Sequence, residues 1–553
     1  MTFVILQHCC NDATCVEVCP VNCIHPAPGE AGYENAELLH IDPATCIDCG
    51  ACAEVCPVDA IASEDDLTAD NLSFLDLNAD YYTRQSPAPP ASGPPAVPAS
   101  EPVSVRQPAP LRVAIVGSGP SACYAAEALL TRRDVNAEIT MLERLPFAGG
   151  LVRYGVAPDH SKTKSIERFF ARTLRRPGLS AFFDIEVGTD ITIDELSAHH
   201  HAILFASGAA QDRLLGLPGE NLRGCHSARE FVGWYNGHPD FAGLTFDLSH
   251  PRVVIVGNGN VALDVARILT ADVERLRRTD ISEYALDALA QSAVREVVLL
   301  GRRGPAESAC TAPELVGLDA DSSADVLVAV PIVEPVQSSL KDKLFAEFSR
   351  RVPEPDSKRI TFAFHAQPAE LVGRNRVTGV RVVGNGASAI GGENSVVDCG
   401  LVLRSIGYRG AAIPGLPFDD ATGTVPNDAG RVTDVASGQP IAGLYVAGWI
   451  KRGPSGVIGT NRFCANETVE SIVADHRASS LADPASGADE FRRLVHSRNP
   501  RSFGAEGWLA IDRHERTEGR RAGRPRVKLA DAGTALDVAN ERGDASVHPV
   551  THY

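Results

Sequence analysis

Four cysteines spaced C-x-x-C-x-x-C-x-x-x-C-P, Cys46, Cys49, Cys52 and Cys56-Pro57, limit what this chain can fold into more tightly than any other feature. Thiolates two residues apart on a tight loop reach three corners of one iron-sulfur cube, and a fourth followed by proline turns toward a neighbouring cluster. An earlier run supplies Cys9, Cys15 and Cys19-Pro20. Cross-ligation then assigns Cys46, Cys49, Cys52 and Cys19 to one 4Fe-4S cluster and Cys9, Cys15 and Cys56 to another. The first run is incomplete, because only the adjacent Cys10 stands where a further C-x-x-C thiol belongs. Three ligands suit a 3Fe-4S centre, unless Cys10 completes a second 4Fe-4S cluster. Cys10 and Cys23 read equally well as packed thiols. Zinc motifs lack the third C-x-x-C step and the trailing proline. The opening MTFVILQH has neither the basic start nor the apolar length of a signal peptide, so the expected compartment is the reducing cytoplasm, not one that favours disulfides.

A chain of 553 residues, 44% hydrophobic, can bury several cores, and three or four domains are expected. No apolar run reaches membrane-spanning length, so membrane insertion is not expected. The formal charge of -18 is concentrated at the start: residues 1–86 hold fifteen acids against Arg84. Such a surface repels nucleic acid and suits steering toward a basic redox partner. Residues 86–110 contain nine prolines and read as an extended linker, reaching at most roughly 75 Å at about 3.1 Å per residue. The expectation is a tether that holds the cluster domain near its partner without packing it there.

After the linker, VAIVGSGPSACYAAEALL (113–130) combines a strand, a glycine turn and a helix, and the next strand ends at Glu143. Gly117 allows the tight turn, Gly119 lets a pyrophosphate approach the helix N-terminus, Ala122 allows helix to pack on strand, and Glu143 is placed to bind ribose hydroxyls. The pattern returns at VVIVGNGNVALDVARIL (253–269), but the following strand ends in Arg302-Arg303. Guanidinium groups there grip a 2'-phosphate that a carboxylate would repel, which selects NADP for the second site and FAD for the first. Residues 271–293 are read as an added helical excursion, and the strands at 199–209 and 401–410 as the two crossings between domains.

Residues 1 to about 65 resemble seven-iron ferredoxins in VEVCPVNC (16–23) and CIDCGACAEVCPVDAI (46–61). GLVRYGVAPDH (150–160), GNGNVALD (257–264), GRRGP (301–305) and GWIKRGPSGVIGTN (448–461) resemble the adrenodoxin reductase family of ferredoxin-NADP reductases. Together they resemble ferredoxin/ferredoxin-NADP reductase fusions of the FprB type. The fold this implies is multidomain, an α+β ferredoxin-like iron-sulfur domain followed by an α/β flavoprotein with two nested Rossmann-like dinucleotide-binding domains. The expected boundaries are 1–85 for the ferredoxin, 86–110 for the linker, 111–210 with 391–475 for FAD, 211–390 for NADP, and 476–553 for a polar extension. The resemblance implies FAD on Ala122, Glu143, Leu151, Val187, Trp449, Gly456, Val457 and Ile458. It implies NADP on Arg213, Asn258, Gly259, Asn260, Val261, Arg302, Arg303, Glu314 and Gly456, with His160 and Glu314 near the reacting rings as catalytic positioning groups.

The expected function is an NADPH-dependent ferredoxin reductase that passes single electrons through its own clusters to an external redox protein, such as a haem-thiolate monooxygenase or a free ferredoxin. An electron-input module of an amidotransferase-type synthase and an iron-sulfur redox sensor are the alternatives. The absence of C-x-x-C after residue 56 disfavours thiol-disulfide chemistry. His199, His200 and His201 are read as a solvated helix end, since three consecutive imidazoles do not converge on one ion. The basic stretch Arg513, Arg516, Arg520, Arg521, Arg524, Arg526 and Lys528 is expected to fold in part, either meeting the acidic ferredoxin face or standing as a solvated tail.

Overall fold

The computed structural model describes residues 2–36, 38–84, 110–321, 323–330, 339–384 and 394–541. Apart from its last residue, the proline-rich linker lies outside them. Two sheets organise the large part of the chain. The first has seven strands, in the order 427–428, 431–433, 440–446, 202–205, 111–116, 137–143 and 179–183, with the last five mutually parallel. The second has six parallel strands, in the order 225–227, 401–404, 252–256, 296–300, 358–363 and 324–328. The runs Val113–Val116 and Val253–Val256 are buried at every position, as strands covered by helices on both faces must be. Gln211–Asp212 pairs with Tyr408–Arg409 where the chain crosses between the sheets. Leu401–Arg404 therefore belongs to the second sheet, and the expected return to the first domain at 391 falls too early. The backbone amides of this apolar stretch find their partners beside Val253–Val256, so the crossing waits until residue 408. The excursion at 271–293 forms helices Val273–Leu276 and Glu283–Ala290.

The N-terminal domain is built from two small antiparallel ribbons, Phe3–Ile5 with Ile61–Ser63 and Ile24–His25 with His40–Ile41. Buried Asn78, on helix Ser73–Arg84, joins them: its Oδ1 accepts from the amides of Ile5 and Ile41, and its Nδ2 donates to the Ile5 carbonyl. One side chain thus satisfies three buried backbone groups, each of which would cost about 1–3 kcal/mol if left unpaired. This domain is packed against the reductase. Val316, on helix Ala312–Asp321, belongs to the same apolar cluster as Ile5, Leu38 and Phe74, and Tyr33 meets Phe463 edge to face at 4.9 Å. The expectation of a tether without packing is thereby corrected, because apolar surface on both partners is removed from water at this contact.

The C-terminal extension is folded through residue 541. Helices Ala488–Arg498, Ala505–Arg521 and Ala532–Asn540 continue the first domain. The Phe183 amide at the sheet edge donates to the Phe503 carbonyl at 2.9 Å, and Trp508 packs against Phe147 and Phe183. Among the described residues, no ion pair joins its basic residues to the ferredoxin's acidic face. Glu515 is fully buried between Arg153 and Arg526, and Lys528 binds Asp280 of the excursion at 2.9 Å. These cations find buried carboxylates in both nucleotide domains, which explains why the segment is ordered. The histidine run also differs from expectation, for His199 and His200 are buried. His200 bonds the Leu196 carbonyl and Thr140 Oγ1, and burial pushes its pKa down to about 4.

Candidate functional site

Both glycine turns stand at the carboxyl ends of parallel strands, where open α/β sheets bind ligands. Gly117 has φ 106°, and a Cβ there would lie 2.7 Å from the Ala206 carbonyl oxygen. Gly257 repeats the arrangement at φ 115° against the Ser405 carbonyl. In each domain the turn needs a residue without a side chain for two independent reasons, conformation and proximity. Gly150, at φ 50°, faces Gly119 so closely that a Cβ on it would come within 2.9 Å of the Gly119 Cα.

Between the sheets lies a cavity of about 600 Å³. Gly117, Gly119, Glu143, Leu151 and Val187 line it from the first domain, and Trp449, Gly456, Val457 and Ile458 from the late glycine-rich segment. Asn260, Val261, His160 and Glu314 line the opposite side. Glu143 holds the first turn in place: its carboxylate accepts from the Ser118 amide and hydroxyl and from the Leu145 amide at 2.6–2.9 Å. Burial pushes the Glu143 carboxyl upward against these hydrogen bonds. The Trp449 Nε1 and Tyr154 hydroxyl are buried without a partner among the described residues, and both residues line the cavity. A buried polar atom in this position is satisfied when a ligand supplies its counterpart, so the cavity's size, its glycine cradle and these two atoms fit a dinucleotide.

Ala122 lies in the core, where helix Pro120–Thr131 packs on Thr460–Arg477, and not in the cavity wall. Arg213, Asn258, Gly259, Arg302 and Arg303 also stand outside the wall. Arg302 and Arg303 are exposed just beyond strand Glu296–Leu300. Arg213 is exposed, with Nε donating to the Tyr408 carbonyl at 3.4 Å, and Asn258 Oδ1 accepts from the Ala309 amide. His160, Asp264 and Glu314 do converge, each offering an atom within 4.8 Å of the others. Arg267 organises them. Buried on helix Asn260–Thr270, it donates to His160 Nε2 at 2.8 Å and pairs with Asp159 and Asp264. These carboxylates hold its pKa above the ordinary value despite burial. Sequence reading passed over Arg267, although an arginine three residues after Asp264 in the apolar run VALDVARIL is a legible sign of a buried ion pair.

The thiols form two sets. Cys19, Cys46, Cys49 and Cys52 surround one small space with Cys23, walled by Phe3, Val21, Ile24, Ile41 and Ile47. Cys23 Sγ lies 3.5 Å from Cys19 Sγ, and its hydrogen bond pulls the Cys19 thiol down to about 5 while Cys23 itself is pushed up. Burial raises Cys52 to about 11. In the second set burial raises Cys9 to about 12 and lifts Cys15 and Cys56 above their ordinary range. A metal bound at these thiols would displace their protons, and the many-sulfur donor set fits iron-sulfur ligation. Cys9 and Cys10, with Gln7 and Leu38, also line the large cavity between the sheets.

A family model described as pyridine nucleotide-disulphide oxidoreductase matches residues 111–455, and one described as a 4Fe-4S binding domain matches residues 39–62. Together with the paired sheets, these matches define an oxidoreductase of the two-dinucleotide class joined to an iron-sulfur domain. A "Probable ferredoxin/ferredoxin--NADP reductase" of Mycobacterium leprae is 48% identical over 550 residues, covering 98% of each chain. The chain belongs to the ferredoxin/ferredoxin-NADP reductase family. An NADPH:adrenodoxin oxidoreductase of Arabidopsis thaliana is 40% identical over 76% of this chain and 93% of its own. The solved structure of Mycobacterium tuberculosis FprA in complex with NADPH matches with a TM-score of 0.72 and 40% identity, covering 78% of this chain and all of that one. No helix among the described residues is long and apolar enough to cross a membrane.

Proposed function

We propose that the chain takes hydride from NADPH, held mainly by the second sheet, onto FAD held in the cavity, and passes electrons singly to two iron-sulfur clusters and then to an external redox protein. One observation carries this reading: Cys9 and Cys10 line the same cavity as Glu143, Trp449 and His160. FAD supplies the conversion between paired and single electrons, chemistry that no side chain offers. The protein's share is placement. Gly117, Gly119 and Gly150 would admit the diphosphate to backbone amides, Glu143 would take the ribose hydroxyls, and Trp449 Nε1, buried without a partner among the described residues, would donate to the cofactor. His160, oriented by Arg267, and Glu314 stand at the opposite wall and fix the nicotinamide edge. Arg302 and Arg303 bind the 2'-phosphate.

Cys19, Cys46, Cys49 and Cys52 hold a 4Fe-4S cluster, and Cys9, Cys15 and Cys56 hold the second, as a 3Fe-4S centre or, with Cys10, a 4Fe-4S centre. The position of Cys10 beside Cys9 at the cavity wall supports either. The acceptor is a protein with a basic docking patch, a haem-thiolate monooxygenase or a free ferredoxin, given the acidic N-terminal domain. The cytoplasm is the compartment that keeps such thiols reduced. Electron paramagnetic resonance of anaerobically purified protein, before and after NADPH, tests the scheme. Signals from two clusters whose redox state changes on adding NADPH are expected; clusters present but untouched by NADPH would overturn it.

A further inference from the structure

Two glycines of the reductase lie directly beneath the ferredoxin domain. Gly459 opens helix Thr460–Arg477 with φ -69°, a conformation any residue adopts. Yet a Cβ on it would collide with the Asn11 carbonyl, and its amide donates to the Cys10 carbonyl at 2.7 Å. Gly317, inside helix Ala312–Asp321, would likewise drive a Cβ into the Gln7 side chain. A glycine inside a helix, as Gly317 is, destabilises it relative to alanine, and Gly317 leaves room there for the Gln7 side chain. Arg462 adds directional bonds, donating to the Asp12 carbonyl, Thr14 Oγ1 and Glu17 Oε1 at 2.8–3.1 Å. The contact spans both nucleotide domains and surrounds the place where Cys9 and Cys10 enter the cavity wall.

We infer that the ferredoxin domain is a fixed plug on the cavity's electron-exit mouth, so that electrons leave only through this chain's own thiol sites and no free carrier reaches that mouth. The inference rests on the proposed electron path and adds that the domain does not swing on its linker. Per turnover NADPH is oxidised to NADP⁺ with release of a proton, and its two electrons pass one at a time through the docked domain to reduce two one-electron acceptors.

Stopped-flow reduction of the holoprotein by NADPH, with free plant-type 2Fe-2S ferredoxin added as a probe, tests it. In the wild type the internal cluster bleaching rate is expected to stay constant as the Debye length shrinks from about 30 Å to about 3 Å between about 0.01 M and 1 M salt. The probe is expected to be reduced only after the fused clusters. Gly459→Val, and independently Arg462→Glu should the first variant fail to fold, is expected to slow internal cluster reduction at least tenfold. In either variant the probe should be reduced without that lag. Flavin bleaching by NADPH should persist in Arg462→Glu, whose guanidinium spends its hydrogen bonds on Asp12, Thr14 and Glu17 of the ferredoxin. A salt-dependent internal rate in the wild type, or unchanged cluster reduction in a folded variant, overturns the plug. Failure of NADPH to bleach the wild-type flavin would instead overturn the proposed function itself.

Discussion

Arg302 and Arg303 stand exposed at the carboxyl end of strand Glu296–Leu300, next to the second glycine turn. An exposed pair of this kind has little to do for the fold, which makes it a clean probe of cofactor choice. A hydrogen bond to a charged group contributes about 1.5–3 kcal/mol, so Arg302→Ala with Arg303→Ala should raise the NADPH KM roughly a hundredfold and the NADH KM about twofold or less. Steady-state kinetics with both nucleotides reads this directly, and equal effects would remove the basis for a 2'-phosphate site. The placement of Cys46 among the other thiols and of Gly117 at a turn that a side chain would block is legible in local spacing. The local pair of Arg267 with Asp264 is legible, but its bond to His160, 107 residues away, is not. The motif reading of Ala122 as a packing position agrees with its place in the core, while the cofactor contact implied by the family resemblance is not in the cavity wall.

At the scale of elements, the strands and glycine turns of both domains were legible in β-branched runs and their breaks. The C-terminal segment was not, because its order comes from charges paired across the chain. Arg153 and Glu515, 362 residues apart, form a fully buried ion pair at 2.5 Å, shared with Arg526. From sequence alone the arginines of 513–526 look like a solvated tail. Breaking such a pair typically costs about 3–5 kcal/mol, and Glu515→Gln should lower the urea midpoint at neutral pH accordingly, with Trp508 fluorescence as the reporter. The arginines depress the folded-state pKa of Glu515. Its contribution is therefore intact above the unfolded value of about 4.3 and is lost as pH falls through the folded value. The gap between wild type and variant should narrow on acidification, and a gap that widens would contradict the assignment.

At the scale of the molecule, two bodies bridge the nucleotide domains from different sides. The ferredoxin reaches Glu314 through Gln7 and helix Thr460–Arg477 through Arg462. The C-terminal strap joins Glu515 in the first domain to Asp280 in the second through Arg526, Val527 and Lys528. Lys164 and Lys528 share Asp280 and Asn236, and Asn236 in turn holds the Tyr154 and Val156 carbonyls of the cavity wall. The cavity is thus framed by parts distant in sequence, and for that reason the packed ferredoxin was not foreseeable from a linker rich in proline.

The most direct test of the account is single-turnover reduction by NADPH followed at several protein concentrations under anaerobic conditions. Electron flow within one polypeptide predicts that flavin bleaching precedes cluster bleaching and that the cluster rate constant is the same at every concentration. A cluster rate that rises in proportion to protein concentration would show that electrons pass between molecules, and would contradict the account.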